Sequence, residues 1–396
     1  MKWVSAKFKD VFFIHGGNPS PKEGEFDEEG IPFVKMKDLG AYHHTTDLSE
    51  TENKVSIKTI KSKRLKIIPK GSLLIPRSGS VAQNHRALLS QDSVIVSHIC
   101  ALEVKDKTRL FNLFAYYYLT TIDMVKITKK TTGLDAITFE DLAELEIPLP
   151  PLATQQRIAE ILDAADALRK KDQELLKKYD ELAQAIFIDM FGDPVKNEKG
   201  WEIDVANNHM DVLSGYAFKS EQYSKDKNNI SLCGGLIIMP WGIEWDKANR
   251  WSIESSKGLE KFFLKEDDIV MAMDRPWIST GFKIAMIKKE DVPSLLVQRT
   301  ARIRAKDINQ FFLYFLFKHS SFEKHVSLTE TTVPHISPND IRSFEIIVPP
   351  IKLQNQYAEN IKGIEAQKQV IKMQINFSGA LFNSCIQKAF SGELVS

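Results

Sequence analysis

Cysteine is scarce: Cys100, Cys233 and Cys385 stand far apart in 396 residues. That excludes a disulfide framework and a cysteine zinc knuckle, and it points to a reducing, cytoplasmic setting. Excess charge of either sign is missing too, since 53 Lys and Arg face 52 Asp and Glu, a formal net charge of +1. Any nucleic-acid role therefore has to rest on local patches or on partners that bring positive charge. No apolar run reaches the ~18 residues of a membrane span. The opening MKWVSAKFKDVFF lacks the apolar core of a signal peptide. P-loop, GxSxG, HExxH, CxxC and (Asn/Asp)-Pro-Pro-(Tyr/Phe) elements are absent, and the carboxylates form no placed pair. His43-His44 has no Cys or carboxylate partner at ligand spacing, so no metal is assigned to it. These absences argue for recognition and assembly rather than catalysis. A chain of this length predicts two to four domains.

What is present is a repeat. IPLPPLATQQRIAEIL at 147–162 returns as IIVPPIKLQNQYAENI at 346–361, with Pro150 and Pro349 199 positions apart. At that offset Ile137 falls on Ile336, Asp141 on Asp340, Glu146 on Glu345, Gln155 on Gln354, Ala159 on Ala358 and Phe191 on Phe390. Upstream the match loosens but keeps its order: LFAYYYL parallels FLYFLF, and GSLLIPRSGS parallels DDIVMAMDRP with a few residues of slippage. The plan reads globular, helix, globular, helix.

Each proline pair forces extended backbone ahead of a long helix. From Leu152 to Phe191 there is neither Pro nor Gly, Thr154 is a candidate cap, and GDP at 192–194 is the stop. Ile158, Ile161, Ala165, Leu168, Leu175, Tyr179, Leu182 and Ile186 recur at heptad steps. About forty residues at ~1.5 Å each span about 60 Å. The second helix, from about Leu353 to Phe390, carries Tyr357, Ile361, Ile364, Ile371, Ile375, Phe382 and Ile386, with Gly363 and Gly379 as weak points. Neither stripe is buried by its own helix, so an antiparallel coiled coil is expected. The fold class is α+β: two mixed α/β domains at 1–147 and 193–347, with spacer helices at 148–192 and 348–396 and an internal pseudo-twofold.

Candidate contacts to a ligand lie in polar loops at parallel places. KVSIKTIKSKRLKIIPK, 54–70, holds Lys63 and Arg64 and no acid; it suits a phosphate backbone or a solvated strand face. PRSGSVAQNHR supplies Arg77, Ser78, Ser80, Gln83, Asn84 and Arg86, side-chain types that pair with base edges. KITKKTTG supplies Lys129, Lys130, Thr131 and Thr132. In the second half the candidates are Lys219, Arg275, Trp277, Ser279, Thr280, Gln298, Arg299, Thr331, Thr332 and His335. Trp241, Trp245 and Trp251 are expected in the core rather than on bases.

With LEIPLPPLATQQRIAEIL closing the first globular half and its echo closing the second, the chain resembles the specificity subunit of Type I restriction-modification systems over nearly its whole length. The resemblance implies that each globular half is a target-recognition domain reading one half of a split site in double-stranded DNA. It implies a coiled-coil ruler between the halves, with Pro150, Pro151, Gln156 and the heptad residues as assembly surface. Two methyltransferase subunits and two restriction (translocase/nuclease) subunits would join, carrying S-adenosylmethionine, ATP and Mg; the chain itself would bind no cofactor and perform no catalysis. The second echo departs from the pattern: Asn355 and Tyr357 stand where the first has Gln156 and Ile158, which implies asymmetry between the two interfaces. The competing reading is a non-catalytic coiled-coil scaffold presenting two ligand-binding domains.

Overall fold

The computed structural model describes residues 3–42, 45–79, 81–131, 134–326 and 335–395. The chain packs as two units, one of residues 1–174 with 372–396 and one of 175–371. Each long helix is shared between them, so the packing cuts across the four segments read from the sequence.

The two units repeat one topology. In the first, a five-stranded sheet runs in the order Phe12–Gly16, Ile99–Val104, Leu73–Pro76, Ala87–Leu89, Thr45–Leu48. In the second, Met210–Ser214, Thr300–Ala305, Ile269–Ala272 and Ile284–Met286 stand in the same order. A parallel pair accompanies each sheet: Ile31–Val34 with Ser93–Ile95, and Ile230–Cys233 with Ser294–Leu296. Each unit is closed by an antiparallel pair that leads into its proline elbow, Ser5–Lys7 with Glu146–Pro148 and Glu202–Val205 with Glu345–Val348. The central strands Leu73–Pro76 and Ile269–Ala272 are buried along their whole length, as continuous apolar runs covered on both faces should be.

Local chemistry breaks some expected elements. LFNLFAYYYLTTIDMVKI becomes a helix at Asn112–Tyr118 followed by two 3-10 turns, the second capped by Asp123. Its counterpart splits at His319 into Gln310–Lys318 and Ser320–Val326. The basic run is mostly not a strand face; only its ends lie in the strands Asn53–Val55 and Ile67–Ile68. Ser56 caps Thr59 N–H at 3.3 Å and starts a helix at Ile57–Lys63, which Arg64 ends in the left-handed region at φ 53°.

The long helices span Leu152–Phe191 and Ile351–Ser391. Thr154 lies inside the first rather than at its cap, and Gly192 and Gly392 follow the two ends at φ 77° and 84°. The helices pair antiparallel in each unit. In the first unit the Arg169 guanidinium lies over the Phe382 ring at 5.2 Å, and Ser378 Oγ donates to Asp172 at 2.9 Å. In the second, Lys368 Nζ reaches Asp180 at 2.7 Å, and Tyr357 packs edge-on to Phe187 and Phe191. Burial opposes the charge of Lys368, but Glu365 and Asp180 outweigh it and raise its proton affinity.

The seam of the second helix is the expected one: Tyr357, Ile361, Ile364, Ile371 and Phe382 are buried, and Ile375 and Ile386 half-buried. The first helix corrects the reading. Leu168, Leu175 and Leu182 are 43%, 39% and 45% exposed. The buried stripe there is Ile158, Ala159, Leu162, Asp166, Ala183 and Phe187, with Ile161, Ala165, Tyr179 and Ile186 at its margin. Its middle is polar. Asp166 is held by Arg169 and Lys170, both at 2.6 Å. A search for apolar periodicity passes over such a stretch and settles on the leucines beside it.

The spacing that recurs in the repeat has a concrete role in Gln155 and Gln354. Gln155 is fully buried; its Oε1 accepts from Phe111 N–H at 2.9 Å and its Nε2 donates to Arg109 O and Pro150 O, both at 2.9 Å. Gln354 accepts from Asn309 N–H at 2.8 Å and donates to Pro349 O at 2.7 Å. Each glutamine ties the first turn of a long helix to its proline elbow and to the loop that opens the short helix of the same unit. Gln155→Leu removes the partner of three backbone groups, of which the Pro150 carbonyl is buried, and chemical denaturation should show a loss of about 1–3 kcal/mol. By contrast, a methyl group at Gly363 meets nothing within 4 Å, so Gly363→Ala should raise stability by about 0.5–1 kcal/mol.

Candidate nucleic-acid interface

In each unit three segments meet at the same end of the main sheet. In the first unit Arg77 leaves the strand Leu73–Pro76; its N–H donates to His98 O at 2.8 Å and its carbonyl accepts from Ile137 N–H at 2.9 Å. In the second, Met273 N–H donates to Arg299 O at 2.9 Å and its carbonyl accepts from Ile336 N–H at 2.8 Å. A bridge then pairs Ser78 with Ala136 and, equivalently, Asp274 with His335. The backbone therefore makes Arg77 the counterpart of Met273, Ser78 that of Asp274, Gly79 that of Arg275 and His98 that of Arg299. Arg77 and Arg275 are not counterparts; Gly79 and Arg275 share the left-handed backbone, φ 87° and 47°.

The side chains at this junction carry opposite emphases. In the first unit Ser78 Oγ and His98 Nδ1 are 2.7 Å apart, and the Arg77 guanidinium lies 4.9 Å over the Phe139 ring. In the second, the Asp274 carboxylate takes His335 Nδ1 at 2.7 Å and Arg299 at 3.5 Å. Arg275 beside it is exposed. Trp277 stacks on Phe282 at 4.8 Å in a hairpin whose turn exposes Ser279 and Thr280. Gln298 is exposed next to Arg299. A loop end that offers a fixed arginine, a histidine and hydroxyls suits hydrogen bonding to base edges and phosphates.

The structure separates the other candidates. Arg86 is corrected: it is 5% exposed, stacked 5.3 Å over Tyr116, and bonded to Asn84 O at 3.1 Å. Burial disfavours its charged form, and it serves the interior of its unit rather than a nucleic acid. Asn84 commits its amide to Leu119 O at 3.2 Å. Gln83, Asn84 and Arg86 together line a cleft whose other wall includes Arg169, Phe382 and Asn383 of the long helices. Lys63 is exposed but pairs with Glu25 at 2.8 Å, and that bond holds the Glu25 carboxyl below its usual range. Lys219 is exposed and precedes the 3-10 turn Ser220–Gln222. Lys129, Lys130 and Thr131 form a short strand paired with Leu134–Ala136. His43, His44, Ser80, Thr132, Thr331 and Thr332 lie outside the described residues. Pro150 is buried, whereas Pro151 and Gln156 face solvent.

Sequence reasoning missed His98 and Asp274. His98 was reachable: VSHI at 96–99 occupies the place of VQRT at 297–300, and applying the repeat there would have made His98 the equivalent of Arg299. Asp274 was passed over because an acid does not fit a search for DNA-binding side chains. Its work here is to orient two donors.

A family model for the Type I restriction modification DNA specificity domain matches residues 1–178 and again 204–376. The chain belongs to that family. Its two copies of the domain fall on the two repeats found above. Among curated relatives, the Type I restriction enzyme MjaVIII specificity subunit of Methanocaldococcus jannaschii is 27% identical over 317 residues, 76% of this chain and 73% of that one. The MjaIX specificity subunit of the same organism is 26% identical over 415 residues, 93% and 89% of the two chains. The fold is that of the S subunit of a Type-I restriction-modification system from M. genitalium, with a TM-score of 0.59, 15% identity and coverage of 98% and 96%. The function of this family member is DNA sequence recognition, as a non-catalytic component of a restriction-modification complex. No helix among the described residues is long and apolar enough to cross a membrane.

With the family fixed, the junction makes a specific demand. Arg275→Ala should relax base preference in one half of the recognised DNA and leave the other half unchanged, at a cost of about 1–3 kcal/mol for a bidentate pairing. Competition binding with duplexes altered one base pair at a time reads this directly.

Proposed function

We propose that the chain reads a bipartite DNA site, with residues 1–147 reading one half and residues 193–347 the other, and that it recruits modification subunits that methylate the halves. The observation that carries the reading is the repeated three-segment junction: the same hydrogen bonds at Arg77 and Met273 present different side chains, Ser78 and His98 in one unit, Asp274, Arg299 and His335 in the other. One architecture with two chemistries suits two half-sites of different sequence. The helices would act as the ruler between the half-sites, and the exposed stripe through Leu168, Leu175 and Leu182 leaves apolar surface for an assembly partner. Two methyltransferase subunits would bring S-adenosylmethionine, and two restriction subunits would bring ATP and Mg, with no cofactor on this chain. The setting is cytoplasmic, where DNA and buried thiols such as Cys100 and Cys233 coexist without oxidation.

The test is the methylation pattern of DNA from a methylation-free host carrying this chain and its modification subunit. A split motif with N6-methyladenine in both halves is expected. A continuous motif would confine reading to one unit, and an assembled complex that methylates nothing would favour the scaffold.

A further inference from the structure

The second unit carries an apolar ledge beside the junction, built in part from the junction's own hairpin. Two short hairpins build it. In one, Ile238–Met239 pairs with Gly242–Ile243 around a Pro240–Trp241 turn; in the other, Trp277–Ile278 pairs with Gly281–Phe282 around Ser279–Thr280. Their tips touch: a Cβ added at Gly281, whose φ is 127°, would meet the Pro240 ring at 3.4 Å. Their bases are anchored. Ile238 is fully buried, the buried Lys283 donates its Nζ to Gly235 O, and Phe282 packs against Phe322 at 5.8 Å. Yet the tips point outward, with Trp241 56% and Ile278 38% exposed, and Leu236, just ahead of the first hairpin, is 87% exposed. Of the six tryptophans, Trp241 alone is exposed. It makes no ring-to-ring contact among the described residues. Proline sets φ on one side of it and the hairpin closes on the other, so little freedom is left to lose on binding.

We propose that the paired hairpin tips are a wedge that stacks Trp241, supported by Ile278, against a base step of the DNA half-site read by the second unit. This deepens the DNA-reading assignment above and rests on it. The choice of DNA over a protein partner comes from charge. The ledge grows from the strand end that bears Arg275, which is exposed, and Arg275 is near enough to Lys283 at the hairpin base to add to the burial that lowers that lysine's proton affinity. A rigid aromatic at the rim of a cationic site meets the π-face of any base, and an apolar side chain at its side unstacks the step. The half-site would then be selected by deformability as well as by base edges. The corresponding part of the first unit has the helix Met36–Ala41 after its parallel strand instead of this hairpin, so the device belongs to one half only.

The experiment uses the assembled complex of this chain with its modification subunit and duplexes carrying 2-aminopurine at successive positions of both halves of the site. Apart from the adenines that the modification subunit would extrude for methylation in either half, the wedge predicts a fluorescence rise at one further step, in the half that Arg275→Ala relaxes. Trp241→Ala should abolish that rise and weaken binding about tenfold, while Trp241→Phe keeps it and the other half stays unchanged. A rise at that further step that survives Trp241→Ala, or no such rise in a complex that binds its site, overturns the wedge and leaves the two-reader assignment standing. Loss of the modification subunit on Trp241→Ala also overturns it, because the ledge is then a protein-docking surface. Failure of the unaltered complex to bind a split site overturns both.

Discussion

A buried amide holds each half of this protein together. Gln155 and Gln354 sit one turn into their helices, and each satisfies a backbone N–H at the head of a short helix while donating back to the proline elbow. No apolar residue does this, because the groups it serves are polar, and the elbow carbonyls among them are buried. The elbow sets where the chain leaves the sheet, the glutamine sets where the helix starts, and the short helix packs the sheet against the rod. In the first unit Tyr117 completes the link with a bond from its hydroxyl to Asp163 at 2.9 Å. The loops at the sheet ends inherit their positions from this frame.

The rods show a second division of labour. Apolar contacts at their outer ends, such as Phe187 and Phe191 on Tyr357 or Tyr117 on Phe382, supply packing. Toward the middle, Asp172 with Ser378 and Asp180 with Lys368 are polar pairs within the seam. Such pairs cost desolvation, and what they return is register: a one-residue slip would leave the buried partner alone. The repeat extends to this device, since Asp166 and Arg169 fall at the offset of Glu365 and Lys368.

Much of the architecture was legible in the residues. The repeat, the proline elbows, both long helices and the seam of the second follow from spacing alone. The first seam did not, because polar residues occupy its centre and leucines run beside it at steps of seven. The basic run at 54–70 misled in another way: Ser56 as a cap outweighs alternation over so short a stretch. At the junction, residue type found Arg275, Arg299 and His335, whereas burial removed Arg86, a fact no composition rule contains. Trp241 inverts the usual expectation for tryptophan, since a two-residue turn leaves its ring no core to enter.

The account stands on the equivalence of the two junctions, and His98 and Arg299 are its matched pair: each carbonyl receives the same bond and each side chain meets the neighbouring loop. The most direct measurement is the methylation motif written by chains bearing His98→Ala or Arg299→Ala, each with the same modification subunit. The account predicts that each substitution loosens one half of the motif, and that the two loosen opposite halves. Loosening of the same half by both, or of both halves by either, would contradict it.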